Sequence, residues 1–203
     1  MHIEFLLEEP SAEAFLIDFM PKILPAETSC NFIQFQGKTD LLANLENRLK
    51  GYRDWLPTDW RIVVLIDADR QDCVKLKAAL DLAAAKAGLK TKSKAGREAF
   101  VVLNRIAVEE LEAWFLGDVD GLRSAYPGVP ASLGSREKFR DPDAVAGGTW
   151  EALESVLQKA GYFPGGLGKI ELARTMARHV NSGRNQSRSF RCFVEGINSL
   201  TAL

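Results

Sequence analysis

Cysteine is scarce and poorly placed for a covalent framework. Cys30, Cys73 and Cys192 are odd in number, far apart and without zinc-finger spacing. A disulfide scaffold or a thiolate metal site is therefore not expected, and a reducing cytoplasm fits best. An excess of one charge is also lacking: 26 Lys and Arg against 27 Asp and Glu leave a net charge of -1. Nothing draws the whole chain to nucleic acid or to a membrane surface, so such binding has to come from local patches. No stretch approaches the roughly 18 apolar residues of a membrane span. The opening MHIEFLLEEP holds an apolar run too short for a signal core, with no cationic start. Repeats and low-complexity tracts are absent. His179 stands alone on a helix and reads as a surface or packing residue. Cys73, on the first turn of a helix, has no histidine partner and reads as structural. Trp55, Trp60, Trp114 and Trp150 read as core or half-buried residues.

What is present is an alternation of strands and helices. Ile3 to Leu7 is a short apolar run ending at Glu8-Glu9-Pro10, a buried strand with an acidic end. Ser11 reads as the N-cap of a helix carrying Phe15, Leu16, Phe19 and Met20 on one side. Asn31 to Gln36 alternates as a second strand, and Thr39 to about Leu49 is helical. RIVVLI, Arg61 to Ile66, is an apolar run rich in β-branched residues, the pattern of a central strand buried on both faces. It ends in Asp67-Ala68-Asp69. A helix from about Asp72 to Lys86, stopped at Gly88, a strand from Phe100 to Ile106 and a helix from Val108 to Leu116 follow. That order predicts an α/β fold, a mostly parallel sheet flanked by helices. Residues 126–149, with three prolines and little periodicity, read as a long connection or flap. Helices at about Trp150–Ala160, Leu167–Val180 and Ser189–Leu200 then form a helical extension. The expected division is a core over 1–125 and a flap plus extension over 126–203, packed on the core.

Ligands of open α/β sheets collect outside the carboxyl ends of the strands. Glu8 and the pair Asp67 and Asp69 all sit where an apolar strand ends, so the fold should bring them to one edge. Residues two apart on an extended stretch point the same way, which would let Asp67 and Asp69 face one ion. Clustered carboxylates repel in a poorly solvated cleft, and a hard cation such as Mg²⁺ or Mn²⁺ relieves this. The plainer alternative is that an Asp after a strand caps a helix or forms a turn, a task that Asp72 could perform here. Glu112 is a further candidate ligand; an ion pair or cap at the sheet edge explains it as well. Glu109 and Glu110 look solvated, whereas Trp114 and Phe115 look buried.

The segments Leu7-Glu8-Glu9-Pro10-Ser11 and Leu65-Ile66-Asp67-Ala68-Asp69 resemble the Toprim motifs, a glutamate after the first strand and a D-x-D after the third. More closely, the chain resembles the Toprim-related domain of unknown function 4276. The marks are Asp67 to Cys73, the segment Ile106 to Phe115 with its Glu-Ala-Trp, and Ser187-Arg188-Ser189-Phe190-Arg191. The resemblance spans most of the chain. It implies a Toprim/Rossmann-like fold and Mg²⁺-dependent phosphodiester chemistry on DNA or RNA. Asp67 and Asp69 would hold the ion, with Glu8 as a further ligand or as general acid or base. It also implies a role in defence against phage beside an ATPase partner. One departure is that Glu9 stands where the Toprim pattern usually has glycine. It either adds a carboxylate to the site or marks a weakened one.

A nucleic-acid substrate requires positive charge near the acids. Lys86, Lys90, Lys92, Lys94 and Arg97 form one basic stretch, which is equally a solvated loop. Arg184, Arg188 and Arg191 form another, where Ser187, Ser189 and Arg191 at a helix start could bind phosphate or simply cap the helix. PGGLGK at 164–169 lacks P-loop spacing and has Ile170 after Lys169, so it reads as a turn before a helix, with Lys169 still a candidate phosphate contact. Two other readings of the acidic edge remain open: a non-catalytic module that docks an ATPase or nucleic acid, and a small-molecule phosphohydrolase or phosphotransferase.

Overall fold

Strands β1 (His2–Leu7), β2 (Ser29–Gln34), β3 (Trp60–Asp67) and β4 (Val102–Ala107) form one sheet in the order β2-β1-β3-β4, with every neighbouring pair parallel. The structure is a computed structural model that describes residues 1–96 and 98–202. The sheet is buried on both faces, as the unbroken apolar run of β3 predicts. Alternate residues feed two separate apolar clusters. Ile3, Phe5, Leu7, Val63, Leu65 and Leu103 belong to one, and Leu6, Ile62, Val64, Ile66 and Val102 to the other.

Helices α2 (Lys38–Arg53) and α3 (Cys73–Lys86) cover the second face through Leu41, Leu45, Leu49, Leu76 and Leu80. Asp72 caps α3, accepting from the backbone of Val74 at 2.8 Å and Lys75 at 3.3 Å. Gly88, at φ 74°, ends it in the left-handed region that favours glycine. A short helix, α4 (Lys92–Ala95), precedes β4.

The first face carries α1 (Pro10–Phe19), α5 (Glu112–Leu116), α6 (Val119–Ala125), α7 (Thr149–Lys159), α8 (Lys169–His179) and α9 (Arg188–Thr201). Helix α8 packs along α1, and α9 packs on β4. The Lys22 ammonium closes the carboxyl end of α8, donating to the carbonyls of Ala177, Arg178 and Val180. Under α9, the Arg105 guanidinium reaches the Cys192 carbonyl at 2.9 Å, and a Cβ on Gly196 would stand 2.6 Å from it. The α/β, Rossmann-like architecture expected from the sequence is the one observed.

Two stretches differ from expectation. The helix expected from Val108 begins only at Glu112, because Glu109 has φ 60°, which no α-helix accommodates. Residues 126–149, read as a long connection or flap, are more structured than their lack of periodicity indicates. They form three 3-10 turns, Leu133–Ser135, Glu137–Phe139 and Pro142–Ala144, and bury Tyr126, Val129, Leu133 and Val145 in the cluster that also contains α1 and α8. Among the described residues, no helix is long and apolar enough to cross a membrane.

Candidate functional site

The strand order reverses between β1 and β3: the chain leaves β1 to one side for β2, then returns to the other side for β3. In open α/β sheets that reversal opens a crevice at the carboxyl ends of the two strands. Glu8 follows β1 there, and Asp67 ends β3. The register pairs Leu7 with Leu65, which places Glu8 just past the last β1–β3 pair and Asp67 one residue further on the neighbouring strand. Glu8 Oε2 accepts from the Asp67 backbone N–H at 3.2 Å. Residues 59 positions apart thus meet through parallel pairing.

Glu112, the first residue of α5, comes to the same place from β4. It is 1% exposed, and neither of its carboxylate oxygens has a hydrogen-bond partner of acceptable geometry. Burial drives its carboxyl up to about 7, against the pull of Lys169 and of its own backbone N–H. Asp67 is 5% exposed and accepts from the Leu111 N–H at 3.3 Å. Burial, then the charges of Glu9, Glu112 and Glu8, raise its pKa well above the usual carboxylate value. Glu8 is raised as well, by burial first, while Lys38 pulls it down.

Asp69 does not follow Asp67 into this centre as the alternation rule predicts. The strand stops at Asp67, Asp69 has φ 50°, and its 53% exposed carboxylate forms an ion pair with Lys38. Lys38 opens α2, just past the carboxyl end of β2, and so reaches the same sheet edge.

Opposite Lys38 stands Lys169, the first residue of α8. Its ammonium lies 3.5 Å from Glu9 Oε1 and 4.0 Å from Glu110 Oε1, over the Trp150 ring. Burial works against its charge, but Glu112, Glu9, Glu110 and Asp67 outweigh this and raise its pKa. Glu9 also accepts from the Ser11 hydroxyl at 2.9 Å. Glu110 is not simply solvated, since it accepts from the Thr149 hydroxyl at 2.9 Å and the Trp150 N–H at 2.8 Å, tying the start of α7 to this edge.

An oxygen-only donor set is the kind a hard cation takes, and the buried Glu112 carboxyl has no hydrogen-bond partner. The acids converge without closing on a point. Among the described residues, no group of three or more His, Cys, Asp or Glu is gathered tightly enough to hold a metal ion.

The second sequence candidate lies elsewhere and is already filled from within. At the amino end of α9, Ser187 Oγ accepts from the Phe190 N–H at 3.1 Å and donates to Asp143 Oδ1 at 2.7 Å. The same carboxylate receives the Ser189 backbone N–H at 2.8 Å and its hydroxyl at 3.0 Å. Ser189 Oγ further accepts from Trp114 Nε1 at 2.9 Å. Asp143 therefore takes the place expected for a phosphate, while Arg188 and Arg191 are exposed beside it. In the other basic stretch, Lys86 pairs with Glu46 and Lys90 with Glu98; Arg97 lies outside the described residues.

Sequence reasoning missed Lys38 and Glu110. The signal for Lys38 was its position at a helix start directly after a strand; Glu110 gave none, because its partners come from residues 149 and 150. A sequence profile described as a domain of unknown function (DUF4276) matches residues 7–198. No curated protein and no solved structure matches the chain.

Proposed function

The chain belongs to the DUF4276 family, and we propose that it is a Toprim-like enzyme that cuts phosphodiester bonds of DNA or RNA with the help of Mg²⁺ or Mn²⁺. The observation that carries this reading is Glu112: a fully buried carboxyl without a hydrogen bond, close enough to raise the pKa of Asp67 at the sheet's switch point. An uncompensated buried carboxylate costs stability, and such costs concentrate at functional sites.

Asp67, Glu112 and Glu8 supply the oxygen donors, and Asp69 joins them once its ion pair with Lys38 opens. The bound ion would polarise a phosphoryl oxygen and offset the charge that develops on it. Where it is not a ligand, Glu8, with its raised pKa, takes or returns the proton at the attacking or leaving oxygen. Lys169 is placed to neutralise a phosphate brought up to the acids, and Glu9 and Glu110 hold its ammonium in position. A role in phage defence beside an ATPase belongs to the same reading.

One observation favours a second reading. Among the described residues the acids are not gathered tightly enough to hold an ion, which suits a non-catalytic module that docks an ATPase or nucleic acid through this edge. Cleavage of DNA and RNA with Mg²⁺ or Mn²⁺, alone and with any neighbouring ATPase, separates the two. The wild type is expected to cut, and Asp67→Ala/Asp69→Ala to lose at least about a hundredfold in rate. If the wild type neither binds these ions nor cuts in either setting, the nuclease reading fails.

A further inference from the structure

The two basic stretches conspicuous in the sequence are partly neutralised within the protein: Lys86, Lys90 and Arg184 pair with acids, and Arg188 and Arg191 stand beside the Asp143 carboxylate. A third is not. A cavity of about 350 Å³ lies between the 3-10 turns and the second half of α7, with Arg136, Lys138, Lys159 and the Ser155 hydroxyl on its rim. The three cations are exposed, and among the described residues none of them has an acidic partner within 4.0 Å. One acid, Glu137, interrupts the sequence from Arg136 to Arg140, and it does not line the cavity. The floor is firm: Phe139 and Val156 are buried, and a Cβ on Gly128 would stand 2.8 Å from the Ala160 carbonyl, so this chain segment lies directly on the end of α7. By contrast, the larger groove beside Arg188 also presents Asp141 and Asp143, and its Lys77 is paired with Asp81.

We propose that this cationic pocket is the docking point for the sugar-phosphate backbone of a nucleic acid. Charge complementarity selects the occupant. Exposed, separated cations grip a small anion weakly, but they bind a polyelectrolyte through release of its condensed counterions. Arg136 supplies a planar fork for phosphate oxygens, and the two lysines act as point charges. Helix α7 joins this pocket to the acidic centre, because its first turn is held by Glu110 and its last carries Lys159. At 1.5 Å rise per residue the two lie roughly 14 Å apart along the helix, about four phosphate steps of one strand. The proposal rests on the nucleic-acid reading above, but its test does not require cleavage.

Binding of the full-length protein to fluorescent single-stranded DNA, single-stranded RNA and duplex DNA is measured by anisotropy in EDTA. Salt is varied between about 50 and 200 mM. Arg136→Ala/Lys138→Ala/Lys159→Ala is expected to weaken binding at least tenfold and to flatten the log K against log salt slope by about 2 for a single strand, with an unchanged melting temperature. Lys86→Ala/Lys90→Ala is expected to bind like the wild type. The proposal is overturned if the wild type binds no strand at the lowest salt, if the triple variant binds as well as the wild type, or if poly-glutamate competes as effectively as an unlabelled strand, the mark of an acidic protein partner. Binding without cleavage would leave this proposal standing and sink the proposed activity.

Discussion

The carboxyl of Glu112 is raised from 4.5 to about 7, by burial before any other cause. A carboxyl raised in the folded state favours folding fully below its unfolded pKa, and that contribution is lost as the pH rises through the folded value. For Glu112 the window therefore runs from about 4.5 to about 7, and its full depth is on the order of 3 kcal/mol. Asp67 and Glu8 are shifted in the same direction and steepen the fall. Without divalent cation, Glu112→Gln is expected to be more stable than the wild type above neutrality and equal to it below the window; urea melts on both sides of the window check this. Lys169 gives the converse case. Its ammonium already neutralises the acids that a divalent ion would bind, so Lys169→Met is expected to tighten Mn²⁺ binding about tenfold, or 1.4 kcal/mol, in a calorimetric titration. If Lys169 only held the acids in place, the variant would bind the ion more weakly.

Between residue and fold, the amino end of α9 is a junction held by a single side chain from another segment. Asp143 accepts the two serine hydroxyls, which also lie 3.1 Å from each other, and the Ser189 N–H there. Asp143→Ala leaves those donors without their acceptor, and the expected loss is about 2 kcal/mol in urea unfolding, the range for hydrogen bonds to a charged group. Sulfate is expected to restore more stability to this variant than to the wild type, because it can occupy the vacated helix terminus. The contact also shows what was legible in the sequence. Strands and long helices were legible, since the apolar runs of β1 and β3 and Asp72 before α3 are local signals. The turns from 133 to 144 were not: 3-10 geometry leaves no apolar period, and Asp143 acts through partners more than 40 residues away. Asp67 and Glu8 were legible because a strand end fixes a position. Asp69 departs from the alternation because its left-handed backbone, whose N–H donates to the Glu109 carbonyl, lies past the end of the strand.

Across the whole molecule, the acidic centre draws on both halves of the chain. Glu8, Asp67 and Glu112 come from the strand-bearing half, and Lys169 and the Trp150 ring beneath it come from the rest. The packing follows the same plan. Phe15, Trp114, Phe190 and Phe193 lie in one aromatic cluster, with Trp114 touching Phe15 at 5.9 Å, Phe190 at 5.2 Å and Phe193 at 5.0 Å between ring centroids. Helix α8 covers α1 along its length, fastened at one end by Lys22. Such a core has no seam at residue 125, although composition changes there. Removing the later helices would bare Phe15, Phe19 and Trp114, all of them fully buried. Unfolding in urea is therefore expected as one cooperative transition, coincident by far-ultraviolet circular dichroism and by tryptophan fluorescence. A chain ending at residue 125 is expected to bind a hydrophobic dye and lose that cooperativity. Two separated transitions in the intact protein would instead show that the helical extension folds independently, and the acidic centre would then be assembled by docking.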